Sequence, residues 1–247
     1  MTENQQYNYL QKKWFEDVLI IWEKNNEFCD VCLETEALDN DQLVYCDLCD
    51  GLTHQKCYGS EIYDHVHKTE FLCQRCQCYK QAFQQYISDK PLMSVEPIAC
   101  NLQVKCALCP DQKGIIKKFK VEDHHMWAHV ICVQWSKQFE FKDNLREELI
   151  QIQRMDPERD NYCQICQQKE GVCEKCAEEN CSYRFHYTCS RYEGLMSSLG
   201  VMRDRKENPN DKDKNIPIYC PQHLYIKSRQ NHKYKCKNQL IQYIYIH

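Results

Sequence analysis

Apolar residues recur at helical spacing only near the start of the chain. Leu10, Trp14, Val18, Ile21 and Trp22 fall three or four apart, with Lys12, Lys13, Glu16, Asp17 and Glu23 between them. This predicts an amphipathic helix over 9–24 within an N-terminal segment 1–26. Its stripe can dock on the chain's own first folded unit or be offered to a partner. The longest apolar run there, Val18 to Trp22, is too short for a signal peptide or a membrane span. Strand-like alternation is confined to ELIQIQ, residues 148–153. The remainder is polar: a linker over 79–99, a charged insertion over 203–217 that reads as a mobile loop, and a basic, tyrosine-rich tail over 225–247. With 247 residues and a mean hydropathy of −0.75, the chain does not suggest one large core.

Twenty cysteines supply the missing cohesion. Without a secretory leader the chain is expected in a reducing compartment, where thiols stay free for metal. Structural zinc takes four Cys or His ligands, and two-residue gaps aim a pair of side chains at one ion. A first block supplies Cys29/Cys32, Cys46/Cys49, His54/Cys57 and Cys73/Cys76, eight ligands for two ions. Its histidine is fifth in order, which fits PHD fingers and disfavours RING ubiquitin ligases, the best enzyme alternative. A second block supplies Cys106/Cys109 and His129/Cys132 for one ion; His124 and His125 compete with His129, but only His129 gives H-x2-C, beside a packing Trp127.

The third block offers Cys163/Cys166, His186/Cys189 and Cys220/His223, and draws its remaining pair from Cys173, Cys176 and Cys181. Cys49 precedes His54 by C-x4-H, and Cys181 precedes His186 by the same spacing. The repeat therefore selects Cys181 with Cys176 and leaves Cys173 spare, alongside Cys78, Cys100 and Cys236. Twenty ligands make five Zn²⁺ sites. Sixteen ligand thiolates and five Zn²⁺ would take the formal charge from −4 to −10, too acidic for a generic nucleic-acid binder. Every set closes at four, leaving no open position for zinc catalysis. The chain is expected not to be an enzyme.

The segments CDLC…HQKCYG, CALCP…WAHVICVQW, CQIC…CEKCAEENCSYRFHYTC and YCPQH, in that order, resemble the PHD finger–zinc knuckle–extended PHD finger (PZP) unit of BRPF and JADE scaffold proteins. The resemblance covers about residues 27–224. It implies small zinc-stabilised modules, irregular with short antiparallel strands and short helices, following the N-terminal helix. These are a PHD finger at 27–78, a knuckle at 100–135, a connector at 136–160 and an extended PHD finger at 161–224. It also implies interleaved ligation. Cys29, Cys32, His54 and Cys57 would share one ion, and Cys46, Cys49, Cys73 and Cys76 the next. Cys163, Cys166, His186 and Cys189 would share another, and Cys176, Cys181, Cys220 and His223 the last. Where PHD fingers usually carry Trp two residues before the seventh ligand, this chain has Phe71. Family scaffolds carry further domains, so the chain is expected to act as one subunit of a larger assembly.

Resemblance further implies nuclear residence and a histone H3 tail added to the strand before the third ligand. The first block carries ten acids against Lys56, Lys68 and Arg75. Glu36, Asp39, Asp41 and Asp47, around the strand Leu43, Val44 and Tyr45, are expected to hold a basic tail. Leu52 occupies the place where readers of trimethyl-lysine commonly put an aromatic wall, which favours an unmodified lysine. A DNA contact without sequence preference is expected from Lys113, Lys117, Lys118 and Lys120, read as one loop of the knuckle, with Lys227, Arg229, Lys233, Lys235 and Lys237 of the tail. Tyr225, Tyr234, Tyr243 and Tyr245 accompany those charges.

Overall fold

The structure, a computed structural model, describes residues 2–18, 28–59, 70–88, 104–142, 145–152, 162–196 and 217–230. The helix expected over 9–24 begins earlier, as α1 (Glu3–Val18). Of its proposed stripe, Ile21 and Trp22 lie outside the described residues. Leu10 is buried, and the Tyr7 ring meets Phe83 edge-on at 5.6 Å, so α1 docks on its own chain.

The receiving element is α3 (Gln74–Ser88), helical through the first half of the stretch expected to be linker. Cys76, Tyr79 and Phe83 recur along one face and are buried, a helical period hidden in a polar sequence. Residues 89–99 lie outside the description.

The first finger is a short antiparallel pair, β1 (Leu43–Tyr45) and β2 (Leu52–His54), running into the one-turn helix α2 (Gln55–Tyr58). Phe71 is buried and packs edge-on against Tyr58 at 5.6 Å, so a ring fills the place usually held by Trp. The knuckle is more than a loop. Hairpin β3 (Ile116–Val121) and β4 (His124–His129) leads into α4 (Val130–Trp135). The following segment returns as β5 (Phe139–Phe141) and β6 (Glu148–Gln151), the strand expected from ELIQIQ, to give a four-stranded sheet of order β4-β3-β6-β5. The last finger has β7 (Glu174–Lys175), β8 (Arg184–Phe185), α5 (Tyr187–Tyr192) and α6 (Pro221–Gln230), the last entering the stretch expected to be tail. The insertion at 203–217 lies outside the described residues up to position 216.

These units share one apolar cluster, with Tyr58, Phe119, Trp135 and Phe185 all members. The seams are tight because glycine lets main chains approach. Gly59, at φ 114°, presents its α-carbon to the Leu145 carbonyl. Gly171, at φ 85°, lies where a Cβ would come within 2.6 Å of Leu108 O, and the neighbouring Val172 N–H donates to that oxygen at 3.0 Å. Among the described residues no helix is long and apolar enough to cross a membrane.

Candidate metal centres and the surfaces around them

Five tetrads of ligand atoms converge, each within 4.8 Å. They are Cys29/Cys32/His54/Cys57, Cys46/Cys49/Cys73/Cys76, Cys106/Cys109/His129/Cys132, Cys163/Cys166/His186/Cys189 and Cys176/Cys181/Cys220/His223. The interleaved pairing expected for both fingers is the pairing observed. Cys181 is in its tetrad. Cys173 is outside, buried, with its thiol hydrogen-bonded to Cys163.

The donor sets fit zinc in geometry as well as chemistry. Two thiolates about 2.3 Å from a tetrahedral ion stand about 3.8 Å apart. Cys109 and Cys132 are 3.7 Å apart, Cys49 and Cys73 3.9 Å, and Cys181 and Cys220 4.0 Å. Hydrogen bonds from Cys49, Cys73 and Cys76 hold the Cys46 thiol far below its ordinary value, and Cys76, bonded to Cys46, is pushed far above. Crowded sulfurs cannot all ionise without a cation among them, and zinc supplies it. The chain holds five zinc ions.

Local structure delivers the ligands the same way three times. His54, His129 and His186 are each the N-cap of a short helix, with φ between −65° and −71° and ψ between 139° and 152°. The H-x2-C pair thus straddles the bend from strand to helix. In each, Nδ1 faces the sulfurs while Nε2 donates to a carbonyl: Glu36 at 2.9 Å, Lys113 at 2.6 Å and Glu170 at 2.6 Å. Those carbonyls fix the tautomer that leaves Nδ1 for metal. Backbone N–H groups complete the sulfur shells, as from Val31 to Cys29 and from Leu108 to Cys106. None of these acceptors is legible in sequence, because any residue supplies a carbonyl.

Charged residues between the modules were also missed. Arg75, buried, stands beside Cys49, Cys73 and Cys76 and donates to Gln112 O. Arg146, buried at φ 57°, donates to Cys57 O at 2.8 Å and stacks on Phe141. Arg191 pairs with Asp30.

Two expected contact residues are corrected. Lys117 is fully buried. Its ammonium donates to Tyr58 O at 3.2 Å and lies over the Tyr58 ring, tying the knuckle to the first finger. It alternates inward with Phe119 and Val121 on a strand, so it presents nothing to DNA. Lys117, Lys118 and Lys120 belong to β3 rather than to a loop. Asp41 is 1% exposed, and its Oδ1 accepts the Lys56 N–H at 2.8 Å; this carboxylate shapes the turn into β1 and does not face a ligand.

The other residues are available to differing degrees. Glu36 and Asp39 are exposed, as is Asp47, although its Oδ2 accepts the Phe71 N–H at 2.6 Å. Lys113, Lys118, Lys120 and Arg229 are exposed. Lys227 pairs with Glu178 at 3.2 Å. Lys233, Lys235 and Lys237 lie outside the described residues, with Tyr234, Tyr243 and Tyr245. Leu52 is buried and Trp127, expected to pack, is half-buried.

Comparison with known proteins agrees with these centres. The PHD-finger family model matches residues 29–76, and that of the PHD-zinc-finger like domain matches residues 104–223. Mouse Bromodomain and PHD finger-containing protein 3 is 31% identical over 199 residues, covering 79% of this chain and 14% of that protein. Protein Jade-1 of Xenopus laevis is 27% identical over 198 residues, covering 79% of this chain and 20% of its own. The chain thus spans a fifth or less of these curated relatives. In the solved structures, the zebrafish PHF14 PZP module superposes with a TM-score of 0.51 at 25% identity, over 79% of this chain and 87% of that one.

Proposed function

Since the chain pairs a PHD finger with a PHD-zinc-finger-like domain and is homologous to the bromodomain-and-PHD-finger and Jade proteins, we propose that it is a nuclear chromatin reader. Its first finger takes the unmodified N-terminal tail of histone H3. It serves as a non-enzymatic subunit of a chromatin-modifying assembly, for instance an acetyltransferase complex.

The observation that carries this reading is the outer edge of β1. Among the described residues β1 pairs with β2 alone. Bonds from Gln55 N–H to Gln42 O and from Cys46 N–H to Gly51 O flank the pair. The alternation of an antiparallel ladder then turns Val44 toward β2 and Leu43 and Tyr45 away from it. An extended peptide can be added along that edge, main chain to main chain. Exposed Glu36, Asp39 and Asp47 beside it suit a tail of lysine and arginine. Leu52 builds no aromatic wall, so a lysine that keeps its hydrogen-bond donors is the better guest.

Calorimetric titration with unmodified and trimethylated H3 N-terminal peptides tests this. Unmodified peptide should bind more tightly. Tyr45→Pro, which removes an outward N–H and leaves β2 paired, should abolish binding with zinc content unchanged. Equal binding of both peptides, or no binding, would leave the fingers as a scaffold only. The exposed cations of Lys113, Lys118, Lys120 and Arg229 support a weaker second contact, with the phosphates of nucleosomal DNA.

A further inference from the structure

Between α3 and the outer face of the knuckle's sheet runs a trough of about 400 Å³ that neither the zinc centres nor the β1 edge uses. One wall is a single face of α3, bearing Gln74, Gln77 and Gln81. The floor is the β3–β4 hairpin. Its register sets Lys118 opposite Trp127 and Lys120 opposite His125. Residues two apart on a strand share a face, so two pairs of one cation and one ring stand on the same surface, about 6.8 Å apart. Lys118, Lys120 and His125 are exposed, and Trp127 is half-buried. The Trp127 indole packs against the core cluster and leaves the rest of its ring open to the trough.

The rim also carries Glu147 and Glu148. Glu148 is shared by Lys120, at 3.0 Å, and Lys142. Lys118 and Lys120 thus share the lining with two carboxylates, and Lys142, from outside it, leaves Glu148 a partner if Lys120 turns away. A ligand suited to this surface repeats a flat ring and an anion along its length and offers donors and acceptors to amides. An acidic polypeptide has the anions without the rings. A duplex keeps its base faces stacked inside and offers only phosphates, sugars and base edges. We infer that the trough binds single-stranded nucleic acid, with successive bases on Trp127 and His125, their phosphates on Lys118 and Lys120, and base edges against the α3 glutamines. The site shares two lysines with the duplex contact proposed above, and the strand form tells them apart.

The test is fluorescence anisotropy on the full zinc-loaded chain. Its probes are a labelled oligothymidine, an abasic strand of equal length and a duplex of equal length. The oligothymidine should bind about tenfold more tightly than either, the loss expected when base stacking is removed. Trp127→Leu and Lys118→Glu should each weaken it severalfold with five zincs retained, and His125→Ala by less. Tyr45→Pro should leave it unchanged, which separates this site from the H3 reading. Absence of binding, or abasic or duplex forms binding as well as oligothymidine, would overturn the inference. So would displacement by polyglutamate as effective as by unlabelled oligothymidine. Should Trp127→Leu lose zinc, the abasic comparison and His125→Ala decide the matter on an intact fold.

Discussion

The guanidinium of Arg191, in the last finger, donates to the carboxylate of Asp30 in the first at 2.7 Å and to its main-chain oxygen at 2.9 Å, across 161 positions of sequence. Both side chains are 3% exposed or less. Burial pushes the Asp30 carboxyl above its usual range, and the guanidinium offsets only part of that. Asp30→Ala, which strands a buried cation, should cost about 3–5 kcal/mol, on the order of 10 °C in Tm for a chain of this length. Lys80→Ala, which breaks the exposed pair with Glu70, should cost under about 1 kcal/mol. Thermal melts of the zinc-loaded variants check both.

Metal analysis of protein purified without chelator should give close to five zincs per chain. Structural sites of this kind contribute about 10–16 kcal/mol of apparent binding free energy each, more than the core can replace. Chelation should therefore remove ellipticity and near-ultraviolet signal together, and zinc should restore them.

Cys181→Ser should lower the zinc count by one and loosen the end of the chain around Cys220 and His223. Cys173→Ser should leave five. The thiol of Cys173 is hydrogen-bonded to Cys163 and belongs to no tetrad, so its loss should show as slightly faster release to a colorimetric chelator.

Gly59→Ala should destabilise by several kcal/mol, because a Cβ at φ 114° would fall on the Leu145 carbonyl oxygen. Mild proteolysis should then separate the first finger from the knuckle, while zinc binding within each survives.

The ligand register was legible because it is written in side chains. Repeated C-x2-C pairs and the shared C-x4-H-x2-C spacing select Cys181 over Cys173. Lys117 was misread because a run of lysines looks like a surface. The alternation of IKKFKV puts residues 117, 119 and 121 on one face, and Phe119 and Val121 could have claimed Lys117 for the interior. Helix α3 was hidden for a related reason: glutamines outnumber the Cys76–Tyr79–Phe83 stripe that buries it. Asp41 looked like its acidic neighbours until a backbone N–H claimed it. Gly59 and Gly171 gave no signal, since what they touch lies far away in sequence.

The glycine seams give the molecule the character of a caliper. Where Gly59 meets Leu145 and Gly171 meets Leu108, main chain rests on main chain. The span from the β1 edge to the hairpin is therefore set by direct main-chain contact rather than by a tether. Two ligands gripped at those places on one larger particle are held at a fixed reach. A particle whose sites match that span gains the whole benefit of double attachment, and one whose sites do not match gains none.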